Sequence, residues 1–369
     1  MSPQLSRRKA MQAVGAAAVL TPFAPKAAFP ELHSEGPDTP KICLEMGNGG
    51  LAAGKLEEAG MRRIKQLGVD HVLMGGPPIP WSREQIRSTM ESLNAGGLTL
   101  GNLMISGFPQ TLYGRPGRDE EIEKVQHSIR EAGRAGLAVI EYNFYAHRLV
   151  EGYYAQTGRG GAGLTAFDYG RVKDLPPLAN EGAHTLDEMW NNITYFLKAV
   201  VPVAEEAGVR LALHPNDPPP LLSRGSGQIM GSLAGWKRLI EIVSSPANGI
   251  TFDCGVTREL GEDPVEVCRY FGSRDRINHV HFRNVRVAIP REKYTEVFLD
   301  EGAVDMFAVM KELVRQKYPR LIYPEHPRAL DADQTDPHFK SYYPGGGAYT
   351  GFAYNVGYTR AMLQAALAA

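Results

Sequence analysis

Residues 209–217 read VRLALHPND, a short apolar run closed by a histidine, an asparagine and an aspartate. The run has the length of a buried strand, and its last residues fall where a strand gives way to a loop. Three later stretches repeat the arrangement: GITFDCG (249–255), NHVHFRNV (278–285) and RLIYPEH (320–326) each end an apolar run with a residue able to bind a divalent metal. The four residues are His214, Asp253, His281 and Glu325, and helix-length connections separate the runs. Parallel strands closed into a barrel bring such side chains together at the C-terminal mouth, where barrel enzymes keep their chemistry. The pattern predicts a metal-dependent enzyme.

Working outward, KICLEM (41–46), HVLMGG (71–76), LTLGNLMI (98–105) and LAVIEYNFY (137–145) are further strand candidates, which makes eight. Between them lie amphipathic segments such as Asp119 to Ala135, with Ile122, Val125, Ile129 and Ala132 along one face and acidic residues in the first turn. Strands alternating with helices imply parallel pairing, and eight repeats favour a closed barrel over an open doubly wound sheet. No Gly-x-Gly-x-x-Gly follows the first strand, which argues against a dinucleotide fold. The predicted architecture is one α/β domain over residues 29–369, a single (β/α)8 TIM barrel with long loops at its C-terminal face. Two connections are long. Ala146 to Leu186, with GRGGAG at 158–163, reads as a flexible lid, and Ala329 to Ala348 leads to Tyr342, Tyr343 and Tyr349, which suit a hydroxylated ligand.

The chain has 369 residues, 43% apolar and 22% charged, enough to bury a sizeable core. A net charge of -1, with charges scattered along the chain, lacks the basic surface that nucleic acid requires. A small molecule is the expected partner, and a homo-oligomer is compatible with the composition. Cys43, Cys254 and Cys268 are too few and too far apart for a disulfide framework or a zinc knuckle, so any metal is held mainly by nitrogen and oxygen. Near the N-terminus, Ser6-Arg7-Arg8-Lys9 precedes the mild apolar run Ala13 to Leu20. Residues 1–28 read as a removable twin-arginine export signal that would place the enzyme in the periplasm. The alternative is a leader in a cytoplasmic protein. The apolar run is too short for a permanent membrane span.

Two histidines, an aspartate and a glutamate form a mixed nitrogen and carboxylate set suited to Mn2+, the first choice, or to Fe2+, Co2+ or Zn2+. His279, two before His281, faces the barrel interior on strand periodicity. Asn216 and Asp217 are placed to hold the free ring nitrogen of His214 or to contact substrate hydroxyls. Arg283 could clamp a substrate carboxylate through its two-pronged donor edge. His326, beside Glu325, is the expected proton-transfer group because imidazole titrates near neutrality. Glu141, a carboxylate in an apolar strand, needs either the metal or an arginine such as Arg148 or Arg159.

Three stretches carry a resemblance. RPGRDEEIEKVQHSIREAGRAGLAVIEYNF (115–144), ALHPNDPP (212–219) and HFRNV (281–285) resemble, in order and spacing, motifs of the mannonate dehydratase family within the xylose-isomerase-like barrels. The resemblance spans roughly residues 98–365. It implies a metal-dependent hydro-lyase that converts D-mannonate to 2-dehydro-3-deoxy-D-gluconate, with His214, Asp253, His281 and Glu325 at the metal positions. It also puts His326 on the histidine after the last ligand and Tyr349 near a tyrosine used there in proton transfer. The chain departs from the family pattern at Asp253, where the family has a ligand cysteine, at Glu325 in place of aspartate, and at Glu141 in place of cysteine. Asn216 replaces one of a pair of aspartates, and Phe108 a histidine. These harder ligands bring the set closer to sugar isomerases and epimerases of the wider superfamily, which is the alternative activity. A sugar-binding barrel without catalysis is the third.

Overall fold

The computed structural model describes residues 35–47, 56–335, 341 and 343–369. The segment read as an export signal and Tyr342 lie outside the described residues.

Eight parallel strands close into a barrel. In chain order they are β1 (Lys41–Glu45), β2 (His71–Gly75), β3 (Thr99–Ile105), β4 (Val139–Tyr142), β5 (Arg210–Leu213), β6 (Asn248–Asp253), β7 (Ile277–His281) and β8 (Leu321–Tyr323). Each pairs with its sequence neighbour, and β1 closes the ring against β8. All eight fall on the predicted runs. Every residue of β6 and β7 is buried, as expected of strands covered by side chains within and helices without. Register aligns the strand ends: Asp253 lies opposite His281, and His281 opposite Tyr323.

The outer helices carry legible start signals. Ser82 and Gln85 form a reciprocal cap on Arg83–Ala95, and Thr185 and Glu188 do the same on Leu186–Ala207. Arg118–Ala135 buries Ile122, Val125, Ile129 and Ala132, the predicted face.

The flexible-lid reading of residues 146–186 is corrected. Tyr153–Thr157 and Gly163–Asp168 form an antiparallel hairpin, and Lys293–Val297 of a second hairpin pairs with it to give a four-stranded sheet completed by Asn284–Ile289. Tyr153, Phe167, Tyr294, Leu149 and Val172 make a small core of their own, which supplies the order a bare loop would lack. The segment after β8 joins this layer: Ala329 bridges to Gly163, and Arg328 to Gly346. Gly345 has φ +75°, and a Cβ there would stand 2.1 Å from the Leu164 carbonyl oxygen, so only glycine brings residues 343–347 this close to the hairpin.

Candidate metal centre

The strand ends deliver four side chains to one point. His214 follows β5 directly, Asp253 and His281 are the last residues of β6 and β7, and Glu325 lies two beyond β8. One donor atom from each lies within 4.8 Å of all the others. His214 Nε2 is 3.0 Å from His281 Nδ1, which is 3.1 Å from Glu325 Oε1; Asp253 Oδ2 is 3.9 Å from His214 Nε2. The second atom of His214 and of Asp253 is already held. His214 Nδ1 bonds the Pro215 carbonyl at 2.8 Å, and Asp253 Oδ1 caps the helix Cys254–Glu259 by accepting from the Val256 amide. Such outer contacts fix the side chains and leave one atom of each facing inward.

This set fits a divalent cation. Glu325 Oε1 is buried without a hydrogen-bond partner among the described residues. Six carboxylates, Glu141, Asp217, Asp253, Glu259, Glu296 and Glu325, are buried in this part of the molecule, against two buried guanidinium groups, Arg283 and Arg328, and the His281 ring, whose proton a bound cation would replace. An excess of buried negative charge is costly, and a dication offsets it.

Arg283 is the hub of the acidic shell. Its Nε donates to Asp253 Oδ2 at 2.9 Å and its Nη1 to Glu259 Oε1 at 2.7 Å; Glu325 Oε1 lies 3.2 Å from Nε. Only 2% of the residue is exposed. Nε and Nη1 are spent on the protein's own acids, and Nη2 is buried with no hydrogen-bond partner among the described residues, so the expectation that Arg283 clamps a substrate carboxylate rests on that one enclosed nitrogen. The sequence could not show this, since Glu259 arrives from a helix that Asp253 itself starts.

Glu141 and His279 lie one layer deeper. Asn102 Nδ2 and Thr251 Oγ1 each donate to one oxygen of Glu141, at 2.9 and 3.0 Å, and His281 Nε2 faces Oε1 at 3.4 Å. Glu141 thus backs His281 rather than meeting Arg148 or Arg159. His279 is fully buried with Nε2 3.9 Å from Glu141. Asn216 and Asp217 do not touch the His214 ring nitrogens: Asn216 accepts from the Met230 amide, and Asp217 accepts from Arg148, Tyr153 and Tyr294.

His326 stands beside the cluster, its Nε2 3.5 Å from Glu325 Oε2. Its Nδ1 meets Glu296 Oε2 at 2.9 Å, and Arg328 donates to the same oxygen at 2.8 Å. His326 has φ +47°, a left-handed conformation that costs a non-glycine residue on the order of 1 kcal/mol. Tyr343 packs on its ring at 4.8 Å between centroids. Tyr349, by contrast, is not at the centre, and its assignment to proton transfer is corrected. Its hydroxyl donates to the Arg63 carbonyl at 3.1 Å and its ring lies under the Arg63 guanidinium, against the helix Glu58–Gln66. Sequence reasoning missed Glu296 and Glu45. The alternation in NVRVAIPREKYTEV (284–297) was the available sign of the hairpin that carries Glu296. Glu45 is the last residue of β1; burial, then Glu325 and Glu141, raise its pKa.

Electrostatics divide the two ligand histidines. Burial, with His281 nearby, pushes His214 down to about 3, so it is neutral and ready to bind metal. Burial also disfavours charge on His281, but Glu325 and Glu141 outweigh it and lift the pKa to about 9. At neutral pH the metal-free protein therefore holds a proton on His281 that an incoming cation must displace. Because a raised pKa means a more tightly held proton, apparent metal affinity should climb by roughly tenfold per pH unit between about pH 6 and 9 and then level off. Chelator competition across that range checks this, and a flat profile would contradict it.

A family profile described as D-mannonate dehydratase (UxuA) matches residues 181–368. The mannonate dehydratase of Thermotoga petrophila is 30% identical over 324 residues, covering 76% of this chain and 89% of the relative. The chain belongs to the mannonate dehydratase family. The mannonate dehydratase of Streptococcus equi subsp. zooepidemicus is 29% identical over 329 residues, 80% of this chain and 88% of that one. The crystal structure of mannonate dehydratase from Streptococcus suis serotype 2 superposes with a TM-score of 0.76 at 26% identity, covering 89% of this chain and 95% of the other. An L-ribulose 3-epimerase structure shares the barrel at a TM-score of 0.55 and 14% identity, covering 89% and 96% of the two chains, which is a likeness of fold alone. Membership of the mannonate dehydratase family makes this chain a hydro-lyase for a small sugar acid. Among the described residues no helix is long and apolar enough to cross a membrane.

Proposed function

We propose that this chain removes water from D-mannonate to give 2-dehydro-3-deoxy-D-gluconate, using one Mn2+ held by His214, Asp253, His281 and Glu325. The observation that carries the reading is the convergence of those four donors within 4.8 Å in a member of this family. A bound divalent ion there supplies Lewis acidity toward a substrate oxygen next to the carbon that loses its proton. Two carboxylates and two imidazoles favour Mn2+ over softer choices, since the family's thiolate position is aspartate here.

The chain's own residues handle the protons. Burial works against charge on His326, yet Glu296 and Glu325 outweigh it and raise its pKa, which favours the imidazolium form. Glu296 holds Nδ1, which leaves Nε2 to deliver a proton to the departing hydroxyl. The Ser6-Arg7-Arg8-Lys9 segment supports action outside the cytoplasm after twin-arginine export.

Incubation of the Mn2+-loaded enzyme with D-mannonate should give the 2-keto-3-deoxy acid. Solvent deuterium entering the sugar without loss of water would instead indicate epimerisation, and no reaction with any hexonate would remove the reading.

A further inference from the structure

A sugar-acid substrate brings a carboxylate, and the two arginines beside the metal centre are only 2% and 1% exposed, with most of their donors on the protein's own acids and carbonyls. Arg283 is committed to Asp253 and Glu259. Arg328 is 1% exposed and spends Nε and Nη2 on the His326 carbonyl and Glu296. Arg148, on the connection that leaves β4 at the same mouth, differs in each respect. Its side chain is 26% exposed. Nε donates to the Asp217 carbonyl at 2.7 Å and Nη2 to Asp217 Oδ2 at 3.1 Å, while Nη1 has no hydrogen-bond partner among the described residues.

The anchor is itself fixed. Asp217 Oδ1 accepts from the Tyr153 hydroxyl at 2.9 Å and lies 3.3 Å from that of Tyr294, so both hairpins pin the aspartate that pins the arginine. The Arg148 guanidinium lies 5.3 Å from the centroid of the Tyr343 ring, which packs in turn on His326. Asp217 Oδ2 is also 3.6 Å from Nη2 of Arg283, the residue bonded to Asp253. Arg148 is therefore a guanidinium held on one edge, with its remaining edge open, within two side chains of the metal ligand Asp253 and of the proton-transfer histidine. Arginine recognises carboxylate by such an edge, and pre-fixing it lowers the entropy lost on binding.

We propose that Arg148, through Nη1, recognises the carboxylate of the substrate and sets the preference for a sugar acid over a neutral sugar. The inference rests on the sugar-acid reading above. A charge-assisted hydrogen bond of this kind is worth roughly 10- to 100-fold in binding.

The test compares the Mn2+-loaded wild type with Arg148→Met and Arg148→Lys, measuring kcat and KM for D-mannonate and inhibition by D-gluconate against neutral mannitol. Wild type should prefer the acid. Arg148→Met should raise KM by roughly 10- to 100-fold and reduce the acid-over-alditol preference by a similar factor, with Mn2+ affinity unchanged. Arg148→Lys keeps a charge beside Asp217, so it preserves the melting temperature even if the methionine variant does not fold; losing the bidentate edge, it should still lose most of the preference. An active wild type whose lysine variant, or folded methionine variant, keeps the full preference overturns the assignment of Arg148. A wild type inactive on every hexonate overturns the parent reading and this inference with it.

Discussion

Glu325→Gln should abolish turnover and weaken metal binding by more than about 100-fold, because changes to groups merely behind metal ligands already cost 10- to 100-fold. The substitution is nearly isosteric. It replaces the oxygen that lies 3.1 Å from His281 Nδ1 and 3.2 Å from Arg283 Nε by an amide that carries no charge. In the metal-free protein the same change also removes the carboxylate that holds the proton on His281, so some thermal stability should be lost with chelator present, and metal content is the deciding readout. Loss of metal without loss of fold is the signature of a ligand. Metal analysis and thermal unfolding with and without EDTA separate these outcomes, and a variant that keeps wild-type Mn2+ content would remove Glu325 from the site.

Arg283→Met should be among the most damaging single substitutions in the chain. Removing the cation strands Asp253 and Glu259, which accept from it at 2.9 and 2.7 Å, and exposes them to Glu296, Glu325 and Asp217 without a counter-charge. Breaking a buried pair from one side costs about 3–5 kcal/mol. In a domain of this size that corresponds to a fall in melting temperature on the order of 5–10 °C. The metal ligand Asp253 also loses the contact that orients Oδ2, so metal affinity should drop along with stability. Differential scanning calorimetry and Mn2+ titration check both. A variant with unchanged melting temperature, unchanged metal binding and a raised KM would return Arg283 to substrate recognition.

The barrel was legible because its strands are largely buried, β6 and β7 throughout, so most appear as short, mainly apolar runs whose punctuation marks the ring. The metal set was legible for the related reason that polar residues which end such runs have few places to go. His214, Asp253, His281 and Glu325 are drawn together by parallel register alone. What stayed hidden comes from elements whose patterns are weaker or whose partners are distant in sequence. Glu296 rides on a half-exposed hairpin strand with alternating burial, and its contact with His326 spans the second hairpin and the last barrel strand. Glu259 reaches Arg283 only because Asp253 caps a short helix at that point. Tyr349 was placed by likeness to a family motif, and motif order does not say which way a helix-initial tyrosine turns; here it turns to the helix Glu58–Gln66. Tyr343, six residues earlier, is the tyrosine that meets His326.

Anomalous diffraction from crystals of the Mn2+-loaded protein tests the central claim most directly. The account predicts one strong peak per chain, about 2.0–2.3 Å from one atom each of His214, Asp253, His281 and Glu325. A fully loaded protein whose manganese peak lies elsewhere, with those four side chains arranged as they are without the ion, would contradict it.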